Sequence, residues 1–268
     1  MSTSELIEAL FDYRAGLILW TLSSVGIYGL SVNLLHFLRS SSSGRFGHFL
    51  RTFESWPHSF WLFQALRFIY YLCIPFAALT RGVTNPVLMG IWAMGWFEVS
   101  WFEDIALGTV LGLGTLILLL WGWRHYLQAT AEIGHWRQRR PFLAQVGALL
   151  TPWGWGLILL EVLYLETHWA FYRGAAIRLL GGYYGAFASL LVILIEWWLN
   201  PEIRRNLGMT YQRGETMTTA ATALSITIIY YFTSNLWLCM AVHLAIQFGL
   251  LWLLALSYGL PDYEGQSN

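Results

Sequence analysis

No lysine occurs in this 268-residue chain, only two residues are cysteine and only 11% are charged. An ordinary soluble domain carries roughly a quarter charged residues. Fifteen basic residues, all arginine, balance fifteen acidic ones, so the net charge is zero and nothing points to nucleic acid or another polyanion as a partner. Cys73 and Cys239 each lie inside an apolar run and match no metal or redox spacing, which leaves them as small buried hydrophobes. The N-terminal MSTSELIEALFDYR is acidic and lacks a small-residue cleavage site, so the first apolar run reads as a retained span and not a secretory signal.

What the sequence has in abundance is apolar surface: 57% of residues are hydrophobic and 17% aromatic. A water-soluble core has no room for that much. Several apolar runs reach the roughly 20 residues a helix needs to cross the hydrocarbon layer, and helices satisfy their backbone polar groups internally there. The expected fold is all-α, a polytopic transmembrane helical bundle of about seven spans in contact with membrane lipid. The spans are expected at about Ala15–Leu38, Phe60–Leu79, Ile105–Trp123, Gly154–Arg173, Ala176–Leu199, Met217–Phe232 and Asn235–Tyr258.

Residues 82–104, with WFEVSWFED, suit an interfacial or re-entrant segment, and Pro141–Leu150 an amphipathic lead-in to the fourth span. Pro201 is expected to stop the fifth span, followed by a polar loop to Glu215. Helices with loops over 1–150 precede a core over 151–268. The loops after the first, third and fifth spans hold Arg39, Arg45 and Arg51; Arg124, Arg137, Arg139 and Arg140; and Arg204, Arg205 and Arg213. This bias puts the N-terminus outside and the C-terminus in the cytoplasm, in a membrane expected to be prokaryotic. Trp197 and Trp198, like many of the sixteen Trp, read as interfacial belt residues.

Polar groups inside spans are costly beside lipid and mark candidate functional positions. Here they are Arg67, which is expected at an interface or facing the bundle, and a group beyond residue 160: Glu161, Glu166, His168, Arg173, Arg178, Glu196 and His243. Glu166 and Arg173 are seven apart, as are Glu161 and His168, so one helix carries two polar stripes. Both are expected to face neighbouring helices or a wet cavity, where carboxylate and imidazole hold water or exchange protons, or else form structural pairs.

The segment LYLETHWAFYRGAAIRLL resembles the first motif of the CAAX protease and bacteriocin-processing (CPBP) intramembrane peptidases: paired glutamates, then arginine and glycine, here Arg173 and Gly174. TSNLWLCMAVHLAIQF resembles the last motif, a histidine in a span followed four residues later by an amide or acid, here His243 and Gln247. The resemblance covers about 100 residues, Leu159 to Leu260. Counting back from Arg173, the paired glutamates fall on His168 and Trp169, with Glu166 the nearest carboxylate. The middle motif has its counterpart at Leu194 to Trp198, with Glu196 inside it. Arg173, Gly174 and His243 carry over residue by residue.

The resemblance implies water activation and hydrolysis of a membrane-embedded or prenylated peptide. Glu166, His168, Glu196 and His243 would be the catalytic set, and Arg173, Gln247 and Glu161 the orienting one. On the residues themselves two uses of His168 and His243 stay open, orienting the water or holding a divalent metal, for which zinc or iron would suit two carboxylates and two imidazoles. Three other readings stay open: a non-catalytic scaffold or accessory subunit of a membrane complex, a cofactor or pigment carrier using His168 or His243 as axial ligand, and a transporter. The last is disfavoured, because no interrupted helices recur in two matching halves.

Overall fold

The computed structural model describes residues 13–40, 48, 52–56, 58–91, 100–131, 142–149 and 151–258. Among these, regular structure is helical throughout, without strands. Helix α1 spans Tyr13–Ser40, α2 Ser59–Phe68, α3 Ile74–Thr80, α4 Ser100–Ala131 and α5 Leu143–Leu149. Then come α6 Gly154–Leu180, α7 Gly182–Leu199, α8 Pro201–Gly208, α9 Thr210–Thr233 and α10 Leu236–Tyr258. A π-helical turn, Ile69–Cys73, joins α2 to α3 into one rod.

Five helices among the described residues are long and apolar enough to cross a membrane: α1, the α2–α3 rod, α4, α7 and α10. Their large side chains, such as Leu30, Phe102 and Trp121, lie exposed on the outside of the bundle, as lipid-facing surface does. The protein is therefore read as an integral membrane protein. Where the fourth and sixth spans are expected lie the long helices α6 and α9, which are more polar and are not among these five. Helix α6 carries Glu161, Glu166, Arg173 and Arg178, and α9 is rich in Thr.

Several boundaries differ from the expected ones for local reasons. Helix α7 ends at Leu199, just before Pro201 as expected, but the break is short: Pro201 occupies the first turn of α8, where its missing N–H costs no bond, and the Asn200 side chain caps that helix by accepting from the Glu202 amide. The expected polar loop to Glu215 is therefore α8 plus the start of α9. Helix α6 runs on to Leu180 and breaks at Gly181, whose φ of +81° is a glycine conformation. The close turn into α7 leaves no room for a side chain at Gly185, where a Cβ would lie 2.3 Å from Ile177 Cα.

Of the expected 82–104 segment, residues 82–91 form turns with Met89 buried, 92–99 lie outside the described residues, and Ser100 already starts α4. Arg45, Arg51, Arg137, Arg139 and Arg140 also lie outside them, as do Pro141 and Leu150 at the ends of the expected lead-in.

The turns at 82–91 rest on the end of α9 and the start of α10. The Tyr230 hydroxyl donates to the Leu88 carbonyl at 2.6 Å, the Leu236 amide to the Gly90 carbonyl at 2.9 Å, and the Trp237 indole to the Ile91 carbonyl at 2.9 Å. Gly174 on α6 lies directly beneath, where an added Cβ would meet Thr84 Oγ1 at 2.9 Å and the Leu88 carbonyl oxygen at 3.2 Å. A glycine after Arg173 is thus what lets this loop close over the bundle.

Helix α6 is the most enclosed element: from Glu166 to Ala175 only Thr167 is not fully buried. It packs against α7, α10, α1 and the π-helical turn, which is why its polar side chains must find partners within the protein.

Candidate functional site: two polar clusters inside the bundle

Two buried clusters gather the polar residues of α6. The first centres on Glu166, whose side chain is fully buried. Its Oε2 accepts from Arg173 Nη2 at 2.7 Å and its Oε1 lies 2.8 Å from His243 Nδ1, so both oxygens are engaged by cationic or N–H groups. Seven residues along a helix is two turns, so Glu166 and Arg173 share the face turned to α10, which brings in His243.

Arg173 has other neighbours. Its guanidinium lies 4.5 Å from the Tyr230 ring centroid, and Nη1 contacts the buried Cys239 thiol sulfur at 3.9 Å. The Trp169 indole stacks on the His243 ring with centroids 5.6 Å apart, fixing its plane. A carboxylate accepts only, so Nδ1 of His243 carries the hydrogen in this pair and a neutral ring keeps Nε2 as an acceptor.

His243 also lines a cavity of about 360 Å³ between α5, α6, α9 and α10. Gln247, one turn further along α10, lines it too, together with Gln145, Glu161, Leu165 and Thr219. Glu161 is half exposed and pairs with Arg67 at 2.5 Å, so Arg67 faces the bundle and Glu161 does not pair with His168.

Helix α5 covers this cavity. Its lead residue Phe142 has a φ of +54°, an uncommon conformation for a bulky side chain. The Phe142 amide donates to the Glu215 carboxylate, which holds that conformation in place. Burial raises the Glu215 carboxyl above its ordinary value, and the Phe142 N–H opposes this by stabilising the anion.

The second cluster takes His168 and Glu196. Two positions on from Glu166 the helix has turned by about 200°, so His168 faces α1 and the π-helical turn. Its Nε2 lies 3.1 Å from both Ser24 Oγ and the Tyr172 hydroxyl. Ser24 and Tyr172 are themselves 3.1 Å apart, and the Tyr70 hydroxyl donates to Glu196 Oε1 at 3.2 Å. Tyr70 and Tyr71 both lie against the imidazole, with centroids 4.6 Å and 5.3 Å away. No hydrogen bond between described residues joins this network to Glu166 or His243.

The structure therefore brings Glu166, Arg173 and His243 together, sets Gln247 and Glu161 on the cavity beside His243, and seats His168 and Glu196 with Ser24, Tyr70 and Tyr172. Among the described residues no three His, Cys, Asp or Glu side chains gather to hold a metal ion. The groups named for a metal do not fit one: His168 and His243 belong to different clusters, and both Glu166 oxygens are spent. Sequence reasoning missed Tyr172, visible as the residue one turn after His168, and Ser24, Tyr70, Trp169 and Tyr230, which only the packing reveals. No protein-family model matches the chain, and neither do any curated protein or any solved structure.

Proposed function

We propose that this protein is an intramembrane hydrolase, a diverged relative of the CPBP peptidases, in which His243 held by Glu166 activates water for attack on a membrane-embedded peptide. The observation that carries the reading is the buried Glu166–His243 pair beside a cavity. Glu166 fixes the ring through Nδ1, and Arg173 anchors Glu166 through its other oxygen. Such an arrangement leaves Nε2 free to take a proton from water, as a general base does. Gln247 supplies an amide to orient the water or the peptide carbonyl. Glu161 and Arg67 mark the polar rim. His168 and Glu196 have no direct part in this chemistry.

The reading takes seven crossings, the five apolar ones together with α6 and α9. Contacts between loops agree with alternating directions. The 82–91 turns meet the α9–α10 junction on one face, while Phe142 meets Glu215 and Arg39 meets Glu54 on the other. Arg39, Arg124, Arg204, Arg205 and Arg213 share that second face, which is assigned to the cytoplasm.

A scaffold is the rival reading, favoured by one observation: the Glu166 oxygens are saturated, as in a purely structural tie between α6 and α10. Reconstitution in proteoliposomes with membrane-spanning and prenylated reporter peptides separates the two. Hydrolysis by the wild type that falls at least a hundredfold in Glu166→Gln, with folding retained, supports the hydrolase. Intact reporters with every form, and stoichiometric membrane partners on purification, would establish the scaffold.

A further inference from the structure

A second concavity, of about 440 Å³, lies between α4 and α9, on the far side of α9's first turns from the His243 cavity. Its floor is made by a close approach: Gly214 faces Trp123, where a Cβ would come within 2.9 Å of the indole ring. The Trp123 indole donates to Thr218 Oγ1 at 3.0 Å, which holds that ring flat against α9. Gly122 and Met217 form the apolar walls, and Gly122 has nothing within 4 Å of a would-be Cβ, so the space above it is open. The mouth opens sideways past Leu118 and Met217, both well exposed on the lipid-facing surface.

The rim is charged. Arg213 lines the concavity. Its Nε donates to the Leu207 carbonyl at 2.8 Å, a bond that fixes the stem without using the two terminal nitrogens. Arg213 enters no ion pair among the described residues; the nearby Glu215 is taken up by the Phe142 amide. Tyr126, an aromatic with a polar tip, stands beside Arg213 as residues at a membrane interface do. Arg124, Arg204 and Arg205 belong to the same end of the bundle.

We infer that this groove binds a phospholipid with an anionic headgroup, one acyl chain lying along Gly122, Trp123 and Met217 and the phosphate resting on Arg213. The match is one of charge and polarity. An apolar slot that opens to the bilayer takes a chain, and a guanidinium at headgroup level with no ion-pair partner among the described residues takes a phosphate by paired hydrogen bonds from its terminal nitrogens. Its walls and rim share no residue with the His243 cavity, so the inference does not depend on hydrolysis.

Native mass spectrometry of the full-length protein, delipidated and re-exposed to phosphatidylglycerol or phosphatidylcholine of equal chain length, tests it. The wild type is expected to retain phosphatidylglycerol about fivefold better, the factor that one arginine supplies at an anionic surface. Arg213→Gln should remove that preference and leave chain binding, whereas Gly122→Leu, whose Cβ meets nothing within 4 Å, should reduce retention of both lipids. Met217→Phe, at an exposed position, gives a second way to narrow the mouth. Equal retention of the two lipids by the wild type would overturn the inference, as would wild-type behaviour in Arg213→Gln and in both slot-filling variants.

Discussion

Glu166 and His243, seventy-seven positions apart in the chain, meet at 2.8 Å with 0% and 3% of their side chains exposed. A carboxylate so deeply enclosed is stable only when its partners are in place, and here Arg173 completes the set from the same helix. Removing Arg173 alone should therefore cost about 3–5 kcal/mol, because it strands a buried charge. Arg173→Met is expected to lower the unfolding temperature in detergent sharply, and Arg173→Met with Glu166→Gln to recover a large part of the loss. A double variant no more stable than the single one would contradict the pairing.

Helix crossings set at glycine should discriminate between positions of the same type. Gly185→Ala puts a Cβ against Ile177 backbone, and overpacking of this kind costs about 1–3 kcal/mol. Gly156→Ala, with nothing within 4 Å of the added atom, should be neutral or stabilising by up to about 1 kcal/mol. Thermal unfolding of the two variants in one detergent checks the contrast.

The seat of α5 should respond to pH through Glu215. Its folded-state value is raised by burial, so its contribution to stability is fully present below the ordinary carboxylate value and is lost as pH rises through the higher, folded value. Protection from hydrogen exchange at Phe142 and across α5, taken relative to the intrinsic rate at each pH, is expected to fall over that interval in the wild type and to stay constant in Glu215→Gln. Equal pH dependence in both would remove Glu215 as the cause.

Much of the helical framework is legible in the sequence, since apolar runs of spanning length leave few alternatives in lipid. The Glu166–Arg173 pair is legible as well, because a separation of seven returns to the same face of a helix. Other pairings are not. Arg67 reaches Glu161 across ninety-four positions, and nothing in either segment names the other. His168 looks equivalent to Glu166 by proximity in sequence, yet a 200° turn sends it toward Ser24, a serine indistinguishable on paper from its neighbour Ser23. The π-helical turn that presents Tyr70 and Tyr71 leaves no mark in composition. Local spacing predicts what one helix can bring together, whereas the sharing of a site among several helices depends on packing.

The two clusters should also separate in function. Glu196→Gln keeps a hydrogen-bond acceptor for Tyr70 and leaves the His243 cavity untouched, so it should retain within about threefold of wild-type turnover at unchanged pH profile, read on the same reconstituted protein.

The most direct measurement compares cleavage of one membrane-spanning reporter by the wild type, His243→Gln and His168→Gln in proteoliposomes, each variant first shown to be folded by its unfolding transition. The account predicts turnover by the wild type and by His168→Gln, with His243→Gln slower by a hundredfold or more. Turnover that survives in His243→Gln, or that disappears in His168→Gln alone, would contradict it.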